Sequence, residues 1–238
     1  MPSDSPSFPS AGVSGRWVTG LLLLTLVPTL ITAPYVLLEP DQPTSTVAFP
    51  DGIASTNEGF LLVILDGVGE NIMRDESMMP NLASRLEDSA VLSVTTGPLT
   101  LSATCVREMM TGVPNAPIDG LKNFNMGHPG GEDPWLLAAR SDRYSVGMIG
   151  SYVMGNLYGD HPDIEFVNTF EGHADYYEGD DATGELLEEW LGTDRHDVIA
   201  AHFSGPDKVG HKWGILSDEY RNKMVDLDQL LSGWLRLV

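Results

Sequence analysis

An α/β domain built on a mostly parallel sheet with helices on both faces, preceded by one transmembrane helix, is the fold class this sequence predicts. Three observations predict it. From Phe60 onward short apolar runs alternate with amphipathic segments; a long uncharged run stands ahead of them; and the composition, 42% hydrophobic and 20% charged, is that of a chain that buries a core. At 238 residues the chain has room for one ordinary domain plus appendages.

The elements follow in order. Residues 1–16 open with MPSDSPSFPSAGVSG, Ser, Pro and Gly without hydrophobic period, and read as a disordered tail. Trp17 to Leu38 carries no charge, enough at ~1.5 Å per residue to cross a ~30 Å hydrocarbon core. It reads as an uncleaved signal anchor. A cleaved signal peptide with a mature N-terminus near residue 34 is the rival, disfavoured by Pro34 beside the bond and by the length of the run, and a buried core helix is the plainer alternative. Arg16 on one flank, with Glu39 and Asp41 on the other, puts the tail in the cytoplasm and the rest across the membrane. Residues 39–59, with EPDQPTSTVAFPDG, read as a linker, and 60–238 as the folded domain.

Within that domain FLLVILD (60–66), AVLSVTT (90–96), YSVGMIG (144–150) and DVIAAHF (197–203) read as buried strands. MPNLASRLEDS (79–89), TCVREMMTG (104–112), PWLLAARSD (134–142) and GELLEEWLG (184–192) read as helices, and 151–182 as loops around a short strand at IEFVN (164–168). Strand–helix alternation of this kind implies a parallel sheet covered on both sides.

Charge and cysteine content narrow the chemistry. A net charge of −21 with few, scattered basic residues excludes a nucleic-acid binder; a surface with only four Lys also suits high salt. The single cysteine, Cys105, excludes an intrachain disulfide and a Cys-rich zinc finger, so a bound metal must use Asp, Glu and His.

Ligands of open α/β sheets bind beyond the carboxyl ends of strands, which singles out three places. Asp66 ends the first run and is followed by Gly67. Asp207 and His211 stand at i, i+4 in HFSGPDKVGHKWG, where carboxylate and imidazole share one face of a helical turn and suit a zinc-like cation. Thr100, Ser102 and Thr104 in GPLTLSATCVREMMTG precede a helix. Each place also has an ordinary reading, as turn former, solvated helix face or helix cap. Together they form a set in which a hydroxyl, metal-binding carboxylates and an imidazole supply what attack on phosphorus needs.

FLLVILDGVGENIM, GPLTLSATCVREMMTG and HFSGPDKVGHKWG, with the following KMVDLDQLL helix, resemble the successive signatures of the alkaline phosphatase superfamily, in its type I phosphodiesterase and GPI ethanolamine phosphate transferase branch. The resemblance covers about residues 60–235. It implies an alkaline-phosphatase-like fold and two divalent ions, Zn2+ in the first instance, with Asp66 and Ser102 on one and Asp207 and His211 on the other. It further implies Ser102 as nucleophile, where most relatives have Thr, with Thr100 and Thr104 as fallbacks, and Asn123 steadying the phosphoryl oxygens. The branch's N-terminal transmembrane segment and lumenal catalytic domain agree with the topology read from hydropathy.

Two departures stand out. The family's second ligand set, an Asp-His pair followed by Gly and a later His, belongs after the D-x-x-x-H helix, and the sequence runs only to Val238; the domain is therefore expected to be C-terminally incomplete, with weak zinc binding and poor turnover. IGSYVMG (149–155) stands where relatives carry an acidic turn. His128, His161, His173, His196 and His202 fall outside the motifs and read as loop or core residues. The expected function is a membrane-anchored, metal-dependent phosphotransferase, a single-pass protein of the endoplasmic reticulum if eukaryotic, moving phosphoethanolamine from a phospholipid donor to a glycolipid acceptor. A phosphodiesterase or phosphatase of the same superfamily and a catalytically silent tethered domain are the alternatives.

Overall fold

The computed structural model describes residues 15–37, 59–123, 125–129, 133–141, 143–170, 172 and 174–234. The chain divides into two units, Met1–Pro40 and Asp41–Val238. The first holds one helix, α1 (Gly15–Leu37), whose Thr25 and Thr29 hydroxyls donate to the carbonyls of Leu21 and Thr25, satisfying themselves on the helix's own backbone. Among the described residues no helix is long and apolar enough to cross a membrane. The expected tail and linker lie almost wholly outside the described residues.

The second unit runs β1 (Phe60–Leu65), α2 (Glu70–Met73), α3 (Pro80–Leu86), α4 (Ser102–Thr111), α5 (Asp119–Lys122), α6 (Pro134–Ala139), β2 (Val146–Gly150), α7 (Tyr152–Tyr158), β3 (Ile164–Asn168), α8 (Glu178–Gly192), β4 (Val198–Phe203), α9 (Gly205–Trp213) and α10 (Asp218–Trp234). The strands form one sheet in the order β1-β4-β2-β3, every pair parallel, as the alternating pattern predicts. Phe60 registers with Val198 and Leu65 with Phe203, so β1 and β4 end level at their carboxyl ends.

Alternation along β4 distributes the two cores. Ile199, Ala201 and Phe203 pack with Leu187 and Trp190 of α8, Val209 of α9 and Met224, Leu227 and Leu231 of α10. Ala200, between them, joins Ile64 and Met148 against Val106 and Met110 of α4, Trp135 of α6 and Val153 and Leu157 of α7. Both faces are thus covered, which is why the strands read as continuous apolar runs. Local signals set the helices: Asp133 caps α6 by accepting from the N–H of Trp135 and Leu136, Ser151 caps α7 through the N–H of Val153, and Gly112, at φ +70, stops α4 in the left-handed region. Asp228 of α10 accepts from the N–H of Asn81 and Leu82 and so ties down the start of α3.

Two expectations are corrected. Residues 90–96 form no strand; Leu92 and Val94 are more than four-fifths exposed, at 85% and 83%. The run has β-branched residues but, among the described residues, neither a hydrogen-bonded neighbouring strand nor a buried face, and strand propensity needs both. Residues 151–182 are not mainly loop: α7 follows β2 directly, and α8 begins at Glu178, six residues ahead of the expected 184. Gly155 and the shortness of α7 masked a helical spacing in which Val153, Met154, Leu157 and Tyr158 are all buried.

Candidate active site

Asp66 follows β1 directly and its N–H donates to the Phe203 carbonyl at 3.0 Å, prolonging the β1–β4 ladder by one bond. Gly67 then turns at φ +76, and a Cβ there would stand 2.6 Å from the Asp207 Cα. Only glycine permits both the turn and that approach. The Tyr220 hydroxyl of α10 donates to the Gly67 carbonyl at 2.6 Å and fixes the turn from outside.

Ser102 is the first residue of α4, and its hydroxyl lies near enough to the Asp66 carboxylate to help lower its pKa. The loop that delivers it is held by side chains. Gly97 N–H donates to both oxygens of Glu108, at 2.9 and 3.0 Å. The Asn115 amide accepts from Leu99 N–H and donates to Leu99 C=O, both at 2.9 Å, and also donates to Glu108 at 2.7 Å. Asn115 thus gives Leu99 the pair of bonds a neighbouring strand would give. Of the fallback hydroxyls, Thr104 is buried and donates to the Leu101 carbonyl at 2.8 Å, while Thr100 is exposed.

Asp207 and His211 lie on α9 as expected, with Asp207 Oδ1 and His211 Nε2 3.4 Å apart. They line a cleft of about 200 Å³ with Gly67, Pro206, Gly210 and Ile215. The structure therefore brings Asp66, Ser102, Asp207 and His211 to the carboxyl edge of the sheet. Asn123 ends α5, buried, with its side-chain oxygen lacking a hydrogen-bond partner among the described residues.

Two residues join the site that their sequence positions did not announce. His202, read as a core or loop residue, is fully buried on β4, yet its Nε2 stands 3.4 Å from Asp66 and its Nδ1 3.2 Å from the Ser151 hydroxyl. Inside an apolar strand it looks like core, and only the strand's register reveals its neighbour. Tyr152 opens α7 in the turn where relatives are acidic; burial and the charges of Asp66 and Asp207 push its phenol up. Of the other histidines, His128 and His161 meet edge to face at 5.5 Å and His196 packs on Trp190 at 4.5 Å, in keeping with loop and core roles. His173 lies outside the described residues.

The two carboxylates are pushed apart. Burial raises Asp66, but the hydrogen bond and charge of His202, the Ser102 hydroxyl and the Gly67 N–H outweigh it and leave the group below the usual aspartate range. Asp207 goes the other way: burial and then the Asp66 charge lift it, against the pull of His211, His202 and Lys208.

The donor types suit a divalent cation, but their number falls short. Among the described residues no group of three or more His, Cys, Asp or Glu side chains stands close enough to hold a metal ion, whereas zinc usually takes about three protein ligands. The residues present do not by themselves complete a metal centre.

The fold and this edge define an α/β protein with a parallel sheet whose reactive side chains gather at its carboxyl end. No protein-family model matches the chain, and no curated protein matches it in sequence. Among solved structures it is similar to murine ectonucleotide pyrophosphatase/phosphodiesterase 5, an inactive form in complex with AMP, at 14% identity and a TM-score of 0.53 over 76% of this chain and 52% of that one. Phosphonoacetate hydrolase from Sinorhizobium meliloti 1021, in complex with phosphonoformate, matches at 14% identity and a TM-score of 0.49, over 76% and 54%. The chain spans about half the length of the solved structures it matches. The first likeness is one of fold, alkaline-phosphatase-like as the sequence led one to expect.

Proposed function

We propose that the chain is a phosphotransferase of the alkaline phosphatase superfamily, most like a GPI ethanolamine phosphate transferase, with Ser102 as nucleophile. The observation that carries this reading is the gathering of the Ser102 hydroxyl, Asp66 and the Asp207–His211 pair at the carboxyl edge. The Ser102 Oγ forms a bond to phosphorus as the ester bond to the donor alcohol breaks, and the Ser102 proton ends on that alcohol. An acceptor hydroxyl then attacks the same phosphorus, the Ser102 bond breaks, and the acceptor's proton returns to Ser102. Atoms and charge balance over the two steps.

A carboxylate held below its usual range accepts a hydrogen bond well and keeps a proton poorly, so Asp66 orients Ser102 rather than deprotonating it. In this reading Asp66 with Ser102 and Asp207 with His211 would each help hold a divalent cation, zinc in the first instance, together with further donors, and the bound charge would favour ionisation of the hydroxyl. Asn123 offers its amide to the phosphoryl oxygens. The uncharged run 17–38 flanked by Arg16 supports a single-pass signal anchor with the domain on the lumenal side, a phospholipid as donor and a glycolipid as acceptor. Carbonate extraction tests the anchor: retention in the membrane pellet is expected, and release or a mature N-terminus near residue 34 overturns it.

Hydrolysis, with water as the acceptor, is a second reading, and the fold likeness to a phosphodiesterase favours it. The test is a phosphodiester assay with added zinc, with and without an acceptor alcohol, on the chain and on Ser102→Ala. Weak zinc-dependent turnover that disappears in Ser102→Ala is expected, as each metal pair lacks a third donor among the described residues. Product partition between alcohol and water separates the two readings. Absence of both zinc binding and turnover supports the silent tethered domain.

A further inference from the structure

Lysine is scarce in this chain: Lys122, Lys208, Lys212 and Lys223 are the whole complement. Four of the described Arg and Lys side chains pair with a carboxylate. Arg74 pairs with Glu70, Arg107 with Asp119, Arg195 with Glu165, and buried Lys223 with buried Asp180 at 2.7 Å. Lys208 and Lys212 form no ion pair among the described residues and pack on aromatic rings instead. The Lys208 ammonium donates to the Gly172 carbonyl at 2.9 Å and lies 4.3 Å from the Phe170 ring centre. The Lys212 ammonium lies 4.6 Å from the Tyr176 ring and 4.2 Å from the Trp213 ring, and those two rings meet at 4.9 Å.

Both sit on α9 at i, i+4, one residue round from Asp207 and His211, which share the same spacing. One helix therefore presents an acid–imidazole row and an ammonium row side by side. Aromatic faces hold an ammonium in place without cancelling its charge, as a carboxylate would. The rows sense each other: Lys208 draws the Asp207 pKa down, while burial holds Lys208 below its ordinary value against the pull of Asp175, Asp180 and then Asp207. On a chain of net charge −21 an approaching phosphate is repelled almost everywhere. This row places two ammonium groups on the helix that carries Asp207 and His211.

We propose that Lys208 and Lys212 form an anion-binding strip that receives a phosphate oxyanion of the substrate next to Asp207 and His211, with Phe170, Tyr176 and Trp213 holding the two ammonium groups forward. As a substrate subsite it rests on the phosphoester reading above; as an anion site it stands on its own.

The experiment separates the two. Inorganic phosphate is titrated into the full chain and followed by tryptophan emission, since an anion that draws Lys212 off Trp213 changes that ring's surroundings, with calorimetry as the second measure. Saturable binding that weakens as salt rises is expected. In Lys208→Gln/Lys212→Gln the affinity falls about tenfold, as two charge-assisted bonds are lost, and the salt dependence flattens. Lys208→Arg/Lys212→Arg retains binding, as does Ser102→Ala; Arg74→Gln, a control for charge loss elsewhere, also retains it. Equal affinity in the wild type and the double Gln variant overturns the proposal, as does equal loss in Arg74→Gln or failure of the wild type to bind phosphate. Lysine-dependent phosphate binding without phosphodiester turnover leaves the strip standing and removes the enzymatic reading.

Discussion

At the amino edge of the sheet the charged side chains are paired off, whereas at the carboxyl edge they are left facing one another. Asp197, just before β4, accepts from the Ser145 N–H at 2.7 Å and its hydroxyl at 2.8 Å. Glu165 accepts from Arg195 at 2.8 and 3.1 Å, and His196 stands 3.1 Å from it. Both carboxyls are held below their usual range, Asp197 by the Ser145 hydrogen bonds and Glu165 first by Arg195. At the other end of the same strands Asp66 and Asp207 repel each other and Asp207 is pushed up. A polypeptide free to choose would neutralise both ends. Tolerating the repulsion at one end is what a site for a positively charged or charge-bridging ligand requires.

Substitutions can break this contrast, and the largest effect belongs to the serines. Ser102→Ala should lower phosphodiester turnover by about 10³-fold or more with the melting temperature unchanged. Ser145→Ala should do the reverse, keeping activity and melting earlier, because it strips Asp197 of a donor. Turnover with calorimetric melting of both variants reads the exchange of roles.

The loop clamp comes next. Asn115→Ala removes the two bonds to Leu99 and releases the segment before Ser102, so kcat should fall on the order of tenfold while KM moves little. Steady-state kinetics shows whether the loss is one of positioning, and an unchanged kcat would mean the loop is held without Asn115.

Stability against pH sharpens the contrast further. The raised Asp207 contributes stability that is fully present below the unfolded aspartate pKa, about 3.9, and is lost as pH rises through the folded value. Asp207→Asn should therefore gain on the wild type from acid to neutral pH, by on the order of 1 kcal/mol. Asp197 has the opposite sign: its contribution is present above the unfolded value and lost as pH falls, so Asp197→Asn should be the less stable at neutral pH and equal at low pH. Chemical denaturation across pH checks both, and parallel slopes would erase the distinction between the edges.

The smallest effect is at His196. Burial, working against the pull of Glu165, leaves its imidazole below the ordinary histidine value. A depressed histidine favours its neutral form in the folded state, so stability should decline as pH falls below about 6.5. His196→Gln should flatten that decline.

How far the sequence reached follows from the physics of each element. The strands of the sheet were legible because a parallel strand buried on both faces is an uncharged run, and Asp66 and Asp207 were legible because they follow such runs. The same rule misled at 90–96, where propensity is local and the missing partner is not. Tyr152 was hidden behind the short, Gly-containing α7, and His202 behind its apolar strand. Glu108 and Asn115 act on backbone groups and have no sequence signature at all; the structure alone shows an amide standing in for a strand.

The central claim is that Ser102, at the unbalanced edge, takes the phosphoryl group. The direct measurement is to incubate the chain with a phosphodiester and zinc, quench in acid, and map the modified peptide by mass spectrometry. A phospho-adduct on Ser102 that disappears in Ser102→Ala is the expected result. Turnover without any adduct, or an adduct on Thr100 or Thr104 instead, would contradict it.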